Sequence, residues 1–381
     1  MNFNKLRDLL DYVLPMLGVP GSDTSIYIDH REVFRHQSGY DNARFGTPVR
    51  DNALYNIYSC TKVATCVSAM QLIERGEMLM DDPVYAYIPE FKSMKVRVKN
   101  EDGTERVVDS KKPMLIRHLF SMTSGLDYDG NRPGIERVKA QTEGRSPTLD
   151  IVRALAEEPL WFEPGSSYRY SFSHDVLGGV IEVVSGMKLG DYMKENLFDP
   201  LGMKRTSFDR SEERLSCLAT QYAYDKERGA VQIGSENPYV FGSEYESGGA
   251  GLISCVDDYV LLADALAHMG MGKSGERILS SAAVELLRSP VVPDQQFRKW
   301  FNNVHHFGYS YCYGVRCCTD PGAAGILVSK GAFGWDGAKL SAVLADPARR
   351  VGVFHAEHMG GLHSVVLPRL LNAVYSCLDE V

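Results

Sequence analysis

The order of residue patterns along the chain predicts an α+β fold: both chain ends build one antiparallel sheet, and a mostly helical unit is inserted between them. Two observations carry this. Strand-like runs lie near the amino terminus and again after residue 308, whereas residues 114–270 read as helices and loops. No repeat, low-complexity tract or Pro/Ser-rich linker separates the 381 residues into independent modules. The expected division is residues 1–75 with 291–381 for the sheet unit and 76–290 for the helical one.

Each element has a local reason. Leu6, Leu9, Leu10, Val13 and Leu14 fall on one face of an amphipathic amino-terminal helix. Residues 24–38 hold two β-rich runs around Asp29-His30-Arg31 and predict a hairpin. From Ser59 the period changes, and Val63, Cys66, Val67, Met70 and Ile73 form a helical stripe that ends at Gly76, a good helix terminator. Residues 94–98 and 105–109 alternate around a turn with Asp102-Gly103. Helices are expected at 149–157, 174–185, 189–196 and 255–268. Strands are expected at 308–316, 339–345 and 350–357, before a closing helix at 364–378.

Composition narrows the function classes. A formal net charge of −8, from 41 Lys plus Arg against 49 Asp plus Glu, argues against nucleic acid or an anionic membrane as partner. No apolar run approaches the roughly 20 residues of a membrane span, and the first residues carry charge where an export signal needs an apolar stretch. The eight cysteines are scattered without a C-x-x-C pair or metal-ligand spacing, which points to reduced thiols, a cytoplasmic setting and no metal.

Two Ser-x-x-Lys matches occur, Ser59-Cys60-Thr61-Lys62 and Ser185-Gly186-Met187-Lys188. The first opens an amphipathic helix, where residues three apart share a face and can exchange a proton. An amine held there in a desolvated cleft has a lowered pKa and can act on the serine hydroxyl. The second has Gly186 after an apolar run, so it straddles a helix end and reads as structural. No G-x-S-x-G elbow and no H-E-x-x-H is present. His355-Ala356-Glu357-His358 reads as two ordinary histidines near the surface, and spacing alone leaves a Ser-His-Asp arrangement open. Cys60, next to the candidate nucleophile, reads as a buried helix cysteine.

Six segments in order carry a family resemblance. IYSCTKVATCVSAMQLIERGEMLMDDPVYAYIPEF (57–91) resembles the nucleophile helix of the class C β-lactamase-like and penicillin-binding-protein serine hydrolases. LIRHLFSMTSGL (115–126), PGSSYRYSFSHDVLGGVIEVVSG (164–186), LFDPLGMKRTSF (197–208), SGGAGLISCVDDY (247–259) and GAFGWDGAKLSAVLADP (331–347) are similar to the segments that follow in that family. The resemblance implies the β-lactamase/DD-peptidase-like fold, with a five-stranded-type antiparallel sheet, a helical domain and a site between them. It also implies acyl transfer without a cofactor: Ser59 is the nucleophile, and Lys62 and Tyr170 share the proton work, the nearby ammonium lowering the phenol's pKa. Tyr168 is the competing tyrosine. The backbone amides of Ser59 and Ala338, after Trp335-Asp336-Gly337, would form the oxyanion site.

Two departures bear on substrate. β-Lactamases and cell-wall peptidases carry Tyr-x-Asn, whereas this chain has Tyr170-Ser171-Phe172. Their third motif begins with a lysine that meets the substrate carboxylate, whereas here Trp335-Asp336-Gly337 stands in its place and Lys330 has the wrong offset. That form resembles the family VIII carboxylesterases and related acyltransferases. Phe172 and Trp335 would line an apolar pocket, and Asp336 either repels a carboxylate or is a solvated strand-edge charge. The expected partner is a small ester, with a lactam, a D-amino-acid amide or a D-alanyl peptide as alternatives, and a catalytically idle binding homologue as the reading of another class.

Overall fold

In the computed structural model, which describes residues 1–300 and 306–379, the two chain ends meet in one antiparallel sheet. Strands β1 (Gly21–Ile28), β2 (Arg31–Asn42) and β3 (Thr47–Pro48) come from the amino-terminal part. Strands β4 (Tyr309–Tyr311), β5 (Arg316–Cys318), β6 (Phe333–Asp336), β7 (Ser341–Asp346) and β8 (Val351–Ala356) come from the carboxy-terminal part. Their spatial order is β4-β5-β6-β7-β8-β1-β2-β3, so β8 and β1 join the two halves, with Asp23 opposite Ala356 and Ile28 opposite Val351. The fold class and the hairpin at Asp29-His30 match expectation, and the sheet is wider than the five-stranded type. Residues 301–305 and 380–381, within the expected sheet unit, lie outside the described residues.

Strand β8 is buried along its whole length because helices cover both faces of the sheet. Side chains alternate accordingly. Val351, Val353, Leu344, Ala342 and Ile26 face the closing helix and the amino-terminal helical segment, which contributes Leu6, Leu9, Leu10 and Leu14. Phe354, Val343, Ala345 and Tyr27 face the larger core that contains the nucleophile helix. Four helices matter for the site: α1 (Thr61–Glu74), α2 (Ser173–Ser185), α3 (Val256–Ala267) and α4 (His363–Leu378).

One expectation is corrected. The run 308–316 is not one strand: the chain reverses at Cys312–Val315, where Cys312 N–H donates to Val315 O at 2.8 Å, giving the β4–β5 hairpin. Gly314 makes the turn with φ of 96°, and a Cβ there would lie 2.2 Å from Cys66 Sγ on α1. Helix α3 lies against β1, β7 and β8. It is buried on all sides except at Asp257, as a helix roofed by sheet and helices must be. Just before it, Ile253–Ser254 pairs with Tyr55–Asn56 in a separate two-stranded sheet.

Candidate active site

Ser59 sits in a single 3₁₀ turn, Tyr58–Cys60, that runs directly into α1. Tyr58, immediately before it, takes φ of 45°, a left-handed conformation that costs a non-glycine residue about 1–3 kcal/mol. The surroundings hold that strain in place. The Tyr58 hydroxyl donates to Gln221 Oε1, Tyr259 Oη on α3 donates to Cys60 O at 2.6 Å, and Ser341 Oγ donates to Ile57 O at 2.7 Å.

One turn into α1, Lys62 is fully buried. Its Nζ donates to Gly249 O at 2.6 Å, to Tyr128 Oη at 3.1 Å and to Ser59 Oγ at 3.3 Å, and lies 4.6 Å from the centre of the Tyr170 ring. Burial disfavours the charged amine and lowers its pKa to about 7, only partly offset by the Asp175 carboxylate. The acceptor carbonyl of Gly249 is fixed by Asp175 at the start of α2. That carboxylate accepts from Ser247 Oγ at 2.5 Å, Tyr245 Oη at 2.7 Å and Gly249 N–H at 3.3 Å.

Tyr170 lies beside this pair, hydrogen-bonded to Ser59, and Trp335 Nε1 donates to its hydroxyl at 3.1 Å while the two rings stack 5.7 Å apart. Burial pushes the phenol up, and the bonds to Ser59 and Trp335 offset this only in part. The expected lowering by a neighbouring ammonium is therefore reversed, because desolvation dominates at both groups. Tyr168 is elsewhere. Its hydroxyl is buried with no hydrogen-bond partner among the described residues, and its ring packs on Tyr311 and Phe297. Phe172 stacks on Tyr128 at 4.5 Å and 22°, and so backs the tyrosine that caps Lys62.

The strand side of the cleft comes from β6 and the turn to β7. Trp335 and Asp336 point to opposite faces of β6. Trp335 reaches Tyr170, whereas Asp336 is ion-paired with Arg316 and lines a cavity of about 460 Å³ beneath α4. Asp336 thus faces away from the nucleophile, and its side chain is 17% exposed. Gly337 permits a close approach: a Cβ there would stand 2.3 Å from Ile57 O and 2.4 Å from Ser341 Oγ. This brings the Gly337–Ala338 peptide against the nucleophile turn. His363 Nε2, at the start of α4, donates to Gly337 O at 2.7 Å.

The remaining candidates separate by location. Ser185 ends α2 and bonds back to Ile181 O at 2.7 Å, while Gly186 takes φ of 69° and Lys188 precedes the next helix. Cys60 is fully buried against Trp335 O and Ser341, and burial pushes its thiol to about 12. His355 and His358 are buried rather than superficial, bound to Thr24 and Glu357 and to Ala219 O respectively. Among the described residues no histidine hydrogen-bonds Ser59. Sequence reasoning missed Tyr128, Asp175 and His363. Tyr128 lies just after one quoted segment and Asp175 inside another, but nothing in their spacing ties them to Lys62.

Comparison with known proteins agrees with this arrangement. A profile of the family described as Beta-lactamase matches residues 6–356. Esterase EstB of Burkholderia gladioli is 28% identical over 383 residues, covering 92% of this chain and 90% of its own. Protein Rv1367c of Mycobacterium tuberculosis is 29% identical over 354 residues, covering 91% of this chain and 86% of its own. Among solved structures, EstCE1, a hydrolase with promiscuous acyltransferase activity, superposes with a TM-score of 0.78 at 24% identity, covering 97% of each chain. Unliganded simvastatin synthase (LovD) of Aspergillus terreus does so with a TM-score of 0.78 at 20% identity, over 98% of this chain and 97% of its own. The chain belongs to the beta-lactamase family and is a serine hydrolase.

Proposed function

We propose that the chain forms an acyl-enzyme at Ser59 from small esters and passes the acyl group to water or to an acceptor alcohol. The carrying observation is the buried Lys62 amine within 3.3 Å of Ser59 Oγ, with its pKa brought down to about 7. An uncharged amine can accept the hydroxyl proton as Oγ attacks the ester carbonyl. The backbone amides of Ser59 and Ala338 hold the developing oxyanion. Tyr170, a neutral phenol, gives its proton to the departing alkoxide and regains one from the Lys62 ammonium, which resets both groups. Water or an alcohol then enters by the reverse path.

Phe172 and Trp335 support an ester over a lactam or a peptide carboxylate. Where the peptidases place an amide and a cation, this chain has Phe172, which backs Tyr128, and Trp335, which stacks on Tyr170. The preference rests on those two residues, because Asp336 is turned away. A reducing, cytoplasmic setting fits eight unpaired thiols, seven of them buried; freshly isolated protein that titrates as disulfide-bonded would refute it.

A p-nitrophenyl butyrate burst, with mass analysis of the quenched protein, tests the main reading. Wild type should carry one butyryl group on Ser59. Ser59→Ala should lose about 10⁴-fold or more in turnover, and Ser185→Ala should behave as wild type. A folded Ser59→Ala protein with unchanged turnover would sink the assignment.

A further inference from the structure

We propose that His30, Asp264 and His268 form a binding site for one divalent transition-metal ion of the zinc type, remote from the Ser59 cleft. The three residues come from distant parts of the sequence. His30 occupies the two-residue turn between β1 and β2, and Asp264 and His268 lie on the last turn of α3 and just beyond it. One donor atom from each lies within 4.8 Å of the others. His30 Nδ1 is 2.8 Å from Asp264 Oδ2, and the two imidazole rings stack at 3.6 Å.

Two further observations ask for a cation there. The Asp264 side chain is only 1% exposed, and its Oδ1 accepts no hydrogen bond among the described residues. A buried carboxylate at a helix carboxy terminus faces the negative end of the helix dipole as well as a desolvation cost, so it needs a positive charge. Second, His268 Nδ1 donates to Asp264 O at 2.8 Å, which fixes the tautomer and leaves Nε2 with its lone pair. That Nε2 is buried, has no hydrogen-bond partner among the described residues, and lies 4.0 Å from Asp29 Oδ1. A ring nitrogen anchored through its other nitrogen by a carbonyl is how metal-ligating histidines are held. Asp29 itself pairs with the exposed Arg350 and adds negative potential without being needed as a ligand.

The site is firmly mounted on one side and adjustable on the other. Helix α3 packs tightly on the sheet here, since a Cβ on Gly352 would come within 2.5 Å of Asp264 N. His30 is 30% exposed on a turn, so its ring can close on the ion. Zinc–nitrogen and zinc–oxygen bonds of about 2.0–2.2 Å draw donor atoms closer than they stand here, and rotation of that ring supplies the movement. Binding takes the His30 Nδ1 lone pair, so the single proton of the neutral ring moves from Nδ1, where it faces Asp264 Oδ2, to Nε2, and water completes the coordination. The ion would staple the β1–β2 turn to the end of α3, the helix whose Tyr259 holds the nucleophile turn.

Full-length protein, stripped with a chelator and then titrated with Zn²⁺ against a chromogenic chelator, tests this. Wild type should take up one equivalent and gain thermal stability. His30→Ala and His268→Ala should weaken that uptake by more than the roughly 10–100-fold typical of losing an outer partner, with circular dichroism unchanged. Should either variant misfold, Co²⁺ added to wild type gives a second measurement: paramagnetic shifts of the His30 and His268 ring protons. No stoichiometric uptake by wild type, uptake undiminished in folded variants, or Co²⁺ shifts confined to other histidines would each overturn the site and leave a hydrogen-bonded His-Asp-His cluster. None of these results depends on ester turnover.

Discussion

A lysine held near neutrality at physiological pH sets the shape of the rate profile. Lys62 acts as a base only when uncharged, and its pKa is lowered to about 7 by burial. The sign follows: kcat/KM should fall about tenfold per unit as pH drops below 7 and level off above it. An ester hydrolysis profile whose rate falls rather than levels off as pH rises through 7 would show that the ammonium is the working form. His363 acts one bond away from the chemistry. It donates to the carbonyl of the Gly337–Ala338 peptide, and a hydrogen bond there polarises and orients the N–H of Ala338. Loss of a direct oxyanion donor costs about 10²–10³ in kcat, so His363→Ala should cost less, about tenfold, in kcat with KM little changed. His363→Gln, which keeps a donor, should recover part of it. An unaltered kcat would remove His363 from the proposed mechanism.

Between the residue and the fold stand two short turns that must touch, the one bearing Ser59 and the one joining β6 to β7. Gly337 is the contact point, and a methyl group there meets backbone 2.3 Å away at Ile57 O. Gly337→Ala should therefore push the turns apart and cut kcat by about a hundredfold or more, since a misplacement of about 1 Å costs that much. Its Tm should fall by only a few degrees, because the strands on either side keep their ladder; a near-normal rate would mean the turns adjust freely. Elements of this kind differ in how far the sequence reveals them. Ser59 and Lys62 are legible because three residues on a helix share a face, a purely local relation. Strand β6 was placed by its resemblance, not by its pattern. The break in 308–316 was hidden because Gly314 is required by Cys66, a residue roughly 250 positions away in sequence that no local window includes.

At the scale of the whole molecule, the end-to-end sheet was readable from strands at both termini. The return of α3 to that sheet was not, since an all-round buried helix looks alike in either unit. Asp175, Tyr128 and the cluster of His30 with Asp264 escaped for the same reason: burial and long-range pairing create their properties. The cleft gathers residues from distant parts of the chain, Lys62 and Tyr128 beside Tyr170 and Trp335, and its substrate preference is a property of that meeting. A charge-assisted bond to a substrate carboxylate contributes about 1.5–3 kcal/mol, and the positions that supply it in the peptidases hold Trp335 and Phe172 here. Without that bond, burial of an apolar acyl group is the main source of binding, and an alkoxide leaves more readily than an amine. The ratio of kcat/KM for p-nitrophenyl butyrate to that for a chromogenic cephalosporin should thus be well above one in wild type. In Phe172→Asn/Trp335→Lys it should move toward the cephalosporin by about tenfold or more, the value of one such bond. Part of the ester rate should be lost in the same variant, because Trp335 also holds the Tyr170 hydroxyl at 3.1 Å. A wild-type protein that favours the cephalosporin would place a carboxylate-binding cation in the cleft and overturn the ester reading, while leaving Ser59 and Lys62 in their roles.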